Sequence, residues 1–159
     1  MVDQTYDKKE IARQQLMTAT RLFLFAPDYS SVITLAAAAG SILHTLVVNE
    51  GKMPFNEYAR QVAGDIFNQI PSREKHAHRI NEIFGINVHK HMNGDSPESV
   101  SLDLKDCATR TLGRAMIDYV TISGGNEDFV KAYFQWAWDN LNGPKIMEEY
   151  KNVPRKFKP

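Results

Sequence analysis

Apolar side chains recur along this chain at spacings of three and four residues, the period of helices buried on one face. Between Lys8 and Phe25 they fall at Ala12, Leu16, Ala19 and Phe23. Pro27 interrupts that segment, and Asp28 has the side chain to cap a second helix. Leu35, Ala36, Ala39, Leu43, Leu46 and Val47 form a broad stripe there, running up to Asn49 and Gly51. The alanines 36–39 followed by Gly40 carry little bulk, so a neighbouring helix can come close, and this segment reads as the central helix.

A third helix follows "GKMP" with Phe55, Tyr58, Val62, Ile66 and Phe67 on its apolar face, ending before Pro71. Ser72 caps a fourth, from Arg73 to Met92, stopped by Asn93 and Gly94. After the polar loop "DSPESVSLDL", Asp103 caps a fifth helix with Leu104, Ala108, Leu112, Ala115 and Tyr119 inward, closed by Gly124 and Gly125. Asn126 is the expected cap of a sixth, bearing Phe129, Tyr133, Trp136 and Ala137 and stopped by Gly143 and Pro144. One more turn fits Ile146 to Tyr150. No strand pattern and no fixed-period repeat is present, so the expected fold is all-α, a single-domain bundle of five or six helices over 1–150. A basic, proline-containing tail over 151–159 completes it, read as a solvated tail.

Composition narrows the function classes. At 159 residues, 43% hydrophobic and 24% charged, the chain is long enough for one core without staples and is neither disordered nor membrane-like. Nineteen basic residues balance nineteen acidic ones, so a broad phosphate-neutralising surface is not expected. Cys107 stands alone inside an apolar period and reads as a small buried hydrophobe. The start "MVDQTYDKKE" lacks a secretory pattern and no unbroken apolar run of membrane length occurs, so a soluble, cytoplasmic protein is expected.

Candidate chemistry concentrates in "GINVHKHMNGD", residues 85–95. On a continuous fourth helix, His76, Ile80, Phe84, Asn87 and His91 share the core face, while His78 and His89 point to solvent. Asn87 and His91 are therefore the candidate site pair, with His91 as acid or base if there is catalysis and Asn87 orienting it. A buried amide and imidazole cost roughly 1–3 kcal/mol each if unpaired, so a structural hydrogen-bond cluster is the competing reading. Lys90, Arg79 and His44 are the candidate binding residues. No metal or cofactor is expected: histidines two apart splay by about 200° on a helix, and no zinc-protease or Glu-x-x-His ladder appears. No Gly-x-Ser-x-Gly elbow suggests a nucleophile. The aromatics Phe129, Tyr133 and Trp136 read as core, and Trp138, off that face, as a contact for a partner subunit.

The segments "RLFLFAPDYSSVITLAAAAGSIL", "NVHKH", "GDSPES" and "TLGRAMIDYVTISG" together resemble a family of small helical bacterial proteins of unassigned function, over residues 10–140. That family's pattern has an alanine-rich second helix and a fourth ending in Arg-Asn-x-x-Lys-His. Asn87, Lys90 and His91 match it, whereas Ile86 stands at the arginine position. The stretch also resembles, more distantly, the HEPN superfamily, whose Arg-Asn-x-x-x-His motif implies a dimeric, metal-independent ribonuclease. In such a motif arginine holds the phosphate and histidine moves protons. Ile86 removes that clamp. Arg73 and His78 offer a loose Arg-x4-His match, but five residues on a helix set them about 140° apart.

Two expectations follow. The first is a non-enzymatic, homodimeric binding or scaffold domain with a buried Asn87/His91 polar cluster. The second is a HEPN-like ribonuclease or nucleotide-binding domain, with His91 as acid/base and Lys90 or Arg79 on the phosphate of an RNA or nucleotide ligand.

Overall fold

A computed structural model describes residues 4–91, 97–152 and 155. Every regular element among them is helical: α1 (Lys8–Phe25), α2 (Tyr29–Asn49), α3 (Phe55–Phe67), α4 (Arg73–Ile83), α5 (Ile86–Lys90), α6 (Leu104–Ser123), α7 (Asp128–Asn140) and α8 (Gly143–Lys151). The all-α expectation holds, but the described residues form eight helices rather than five or six. The extra elements come from the fourth segment, which is two helices, and from the turn near Ile146, which is a full helix. The expected helix end at Asn93 and Gly94, the loop start at Asp95 and most of the basic tail lie outside the described residues.

The fourth segment breaks at Gly85, whose φ of +68° belongs to the left-handed region. Glycine enters that region without the penalty a Cβ brings. Here a Cβ would also sit 3.3 Å from Cys107 Sγ and 3.4 Å from Leu102 Cδ1. Gly85→Ala is therefore expected to destabilise the protein by about 1–2 kcal/mol, from left-handed strain alone. Urea unfolding with an unchanged midpoint would show that φ at this position does not set the break.

The chain divides into two compact units, residues 1–124 and 125–159. In the first, α2 is the central helix, packed along α1 and α6, with α5 also against it; α3 meets α4 and α6. Leu16, Ile33, Leu43, Leu112, Met116 and Tyr119 fill the core. The small-residue segment serves the close approach it suggested: Gly40 faces Ala115, whose Cβ lies 3.5 Å from where a glycine Cβ would stand. Asp7, Asp28, Ser72 and Asp103 each accept a backbone N–H at the start of a helix, satisfying donors that have no partner inside the first turn.

Three sequence expectations fail in detail. The apolar stripe of α3 is not buried, since Ile66 and Phe67 are exposed and only Gly64 is enclosed, against Ile70. Leu104, expected inward, is partly exposed at the first position of α6. The cap of α7 is Glu127 rather than Asn126, and its side chain makes no capping bond. Among the described residues one helix, α2, is long and apolar enough by composition to cross a membrane; here its buried residues belong to the core shared with α1 and α6.

In the second unit α7 packs on α8. Val130 and Tyr133 are buried, and Tyr133 stacks on Trp136 at 6.2 Å between ring centroids; of the three aromatics expected in the core only Tyr133 is enclosed, Phe129 and Trp136 being half-buried. The indole of Trp138 lies directly over Gly143, where it leaves no room for a Cβ. Trp138 nevertheless stays 46% exposed.

Candidate functional site

Within the first unit, α2, α3, α4, α5 and α6 enclose a cleft of about 610 Å³. Its chemistry is set by two residues one turn apart on α6, Arg114 and Asp118. Arg114 reaches along the side-chain-free face of Gly40, where a Cβ would stand 3.1 Å from its Nη2, and its guanidinium carbon lies 5.9 Å from the centroid of the Phe84 ring. Only 9% of the residue is exposed. Among the described residues it has no ion pair and no hydrogen bond, so the aromatic face and the neighbouring Asp118 field are what oppose the cost of burying its charge.

Asp118 does not close an ion pair with it. Its Oδ1 accepts the backbone N–H of Phe55 at 2.7 Å and so caps α3 from across the unit, where the N-cap residue Pro54 has no side chain to do so. Burial raises the Asp118 carboxyl pKa, opposed by that N–H and by His44 and Arg114. The cleft wall opposite is held by Glu57, which accepts from Arg60 Nη2 at 2.6 Å and from Arg73 Nε at 3.1 Å. Arg60 Nη1 also donates to the carbonyl of Pro71, fastening the α3–α4 connection.

The hydrogen bond from Arg60 is the main cause that brings the Glu57 carboxyl down to about 2, helped by Arg73 against the effect of burial. A carboxyl depressed in the folded state stabilises above its ordinary range and loses that contribution as pH falls through it. Between about pH 4.5 and 2 the wild type is therefore expected to lose stability relative to Glu57→Gln. At neutral pH the variant is expected to be the weaker, by about 1–2 kcal/mol after allowing for partial exposure. Parallel acid limbs in denaturant midpoints would refute this assignment.

Three of the five buried side-chain atoms that lack a hydrogen-bond partner among the described residues line this one cleft: His44 Nδ1, Asn56 Oδ1 and His76 Nε2. His76 is buried, and that burial, reinforced by Arg60 and Arg79 and opposed by Glu57, lowers its pKa. Lys90 lines the cleft from α5 with much of its side chain in solvent. Four permanent cations, Arg60, Arg73, Lys90 and Arg114, thus face two carboxylates, both of which already accept hydrogen bonds.

The residues singled out from sequence are distributed differently from expectation. His44 and Lys90 line the cleft; Arg79, Asn87 and His91 do not. His91 is the extended C-cap of α5 and exposed, and its link to Asn87 is the backbone bond from its own N–H to the Asn87 carbonyl at 3.0 Å. The buried Asn87/His91 cluster is therefore not formed. The left-handed turn at Gly85 resets the helical phase, so the face running through His76, Ile80 and Phe84 does not continue into Asn87 and His91. Ile86 takes the inward place at 1% exposure. His89, expected in solvent, is half-buried, with Nδ1 2.7 Å from the Gly85 carbonyl and Nε2 3.3 Å from Ser30 Oγ on α2. His78 is exposed as expected, beside Glu82 at 3.1 Å.

Sequence reasoning missed Arg114 and Asp118 altogether and left His76 as part of an apolar face. The signal was present: an Arg and an Asp four apart lie on the inward face of a helix otherwise read from Leu112, Ala115 and Tyr119. Cys107 is buried, as expected, with its Sγ 3.7 Å from the Ile83 carbonyl and its thiol pKa raised by burial. Among the described residues no group of three or more His, Cys, Asp or Glu is arranged to hold a metal. No protein-family model, curated protein or solved structure matches the chain.

Proposed function

We propose that this chain is a non-enzymatic binding domain that takes a small anionic molecule into the cleft between α2, α3, α4 and α6. The observation that carries the reading is the buried guanidinium of Arg114, which faces the cleft with no carboxylate among the described residues bound to it. A buried charge is costly unless it is paired, and the planar fork of arginine matches the oxygens of a carboxylate or phosphate. The excess of cations along the walls acts in the same direction, and the volume is that of ordinary small-molecule sites.

Cleavage of RNA has less support. The histidine required for it, His91, is exposed and away from the cleft, and Ile86 stands buried where the motif needs arginine.

Calorimetric titration of the wild type with inorganic phosphate and sulfate at constant ionic strength tests the reading. A saturable heat, stronger than that for acetate and lost in Arg114→Met, is the expected result. Heats that never saturate, or that are the same in the variant, would remove the cleft as the binding site.

A further inference from the structure

The cleft carries, besides its permanent cations, an imidazole positioned to change charge when the cleft is filled. Resting on the anion-binding reading above, we propose that the ligand is a doubly charged oxyanion of the phosphate monoester kind, and that its binding draws a proton onto His76.

The argument begins with Nε2 of His76, a buried atom on the cleft wall without a hydrogen-bond partner among the described residues. A neutral imidazole offers one donor and one acceptor, whereas the protonated ring offers two donors. Which form the cleft favours depends on the charges facing the ring. From α3 these are Arg60 and Glu57, and from its own helix Arg73 and Arg79. Across the cleft are His44 on α2, Lys90 on α5, and Arg114 and Asp118 on α6. Glu57 is already bound by Arg60 and Arg73, and Asp118 by the Phe55 N–H. Positive charge therefore prevails around His76, burial acts with it, and without an anion the ring is held neutral; the lowered pKa agrees with this.

An oxyanion seated on Arg114 changes the sign of that balance. A single negative charge offsets the guanidinium and little more. The second charge of a dianion makes the potential at the unpartnered Nε2 more negative, which favours protonation there and supplies a further donor to a ligand oxygen. No bond is made or broken except that the proton passes from solvent to the ring nitrogen. His44, whose Nδ1 is likewise unpartnered, is the competing acceptor of the same proton.

Sulfate is the probe, because it stays doubly charged across the neutral and mildly acidic range and any proton taken up belongs to the protein. Titrations of the full chain in buffers of different ionisation heat are expected to show uptake approaching one proton. Apparent affinity should rise by up to about tenfold per pH unit on acidification through the histidine range. In the wild type, the pKa of His76 followed by its imidazole NMR signal should move up when sulfate is added, a measurement that needs no variant to fold. His76→Gln should abolish the uptake. Sulfate binding with unchanged affinity across this range and no uptake would overturn the inference while leaving the binding reading intact. Uptake that survives in His76→Gln and disappears in His44→Gln would overturn it as well. No saturable binding of sulfate or phosphate at any pH would overturn both.

Discussion

Arg114→Met is expected to make the protein more stable in the absence of added anion, by about 1–4 kcal/mol, while abolishing its response to anions. The two effects share one cause. The guanidinium is buried against Phe84 and Gly40 with no ion pair among the described residues, so the desolvation cost of its charge is opposed only by the Phe84 face and the Asp118 field. Methionine keeps an unbranched stem of similar reach, adapts to irregular space and removes the charge. Arg114→Lys separates charge from shape: it should retain weak binding, because an ammonium attracts an anion but lacks the two-pronged fork. Denaturant unfolding of the three proteins, with and without saturating phosphate, reads out both quantities. A loss of more than about 1 kcal/mol in Arg114→Met without anion would show that the guanidinium is a structural strut, and the case for a ligand at this place would fall.

The second large effect is expected at Gly40, where α2 approaches α6. A Cβ there would meet Arg114 Nη2 at 3.1 Å and Ala115 Cβ at 3.5 Å. The first neighbour is the far end of a long side chain and can give way; the second belongs to the helix packed behind it. Gly40→Ala is accordingly expected to be close to neutral in stability, since its gain in helix propensity of about 1 kcal/mol offsets mild crowding. It should nonetheless weaken anion binding by displacing the guanidinium. Gly40→Leu cannot be absorbed in this way and should destabilise by about 3 kcal/mol as the helices are forced apart. Equal unfolding midpoints for wild type and Gly40→Leu would mean that the α2–α6 spacing is not set by small residues.

Most of the fold was readable because its signals are local. The bounds of α1 and α2 coincide with the apolar periods and with the capping residues Asp7 and Asp28; Asp103 and Gly124 bracket α6 in the same way. Capping and periodicity involve residues within a turn or two of one another, so a single sequence displays them. The amphipathic pattern of α3 shows where such reading fails: its period is helical, yet Ile66 and Phe67 are exposed, because burial depends on what the rest of the chain brings to that face.

The sequence by itself determined the helical class, the central place of α2 with its small-residue face, the burial of Cys107, and the starts of α1, α2, α4 and α6. Only the tertiary structure decided where the polar chemistry collects. A glycine inside a helical period reads as tolerable until its φ is known, and at Gly85 the positive φ breaks the helix, leaving Ile86 buried, Asn87 half-buried and His91 exposed. The cleft draws His44, Glu57, His76, Lys90 and Arg114 from five helices, across up to seventy positions of sequence. Charges that meet only through folding leave no spacing to read, and their energetics depend on desolvation, which exists only once the surrounding helices have excluded water.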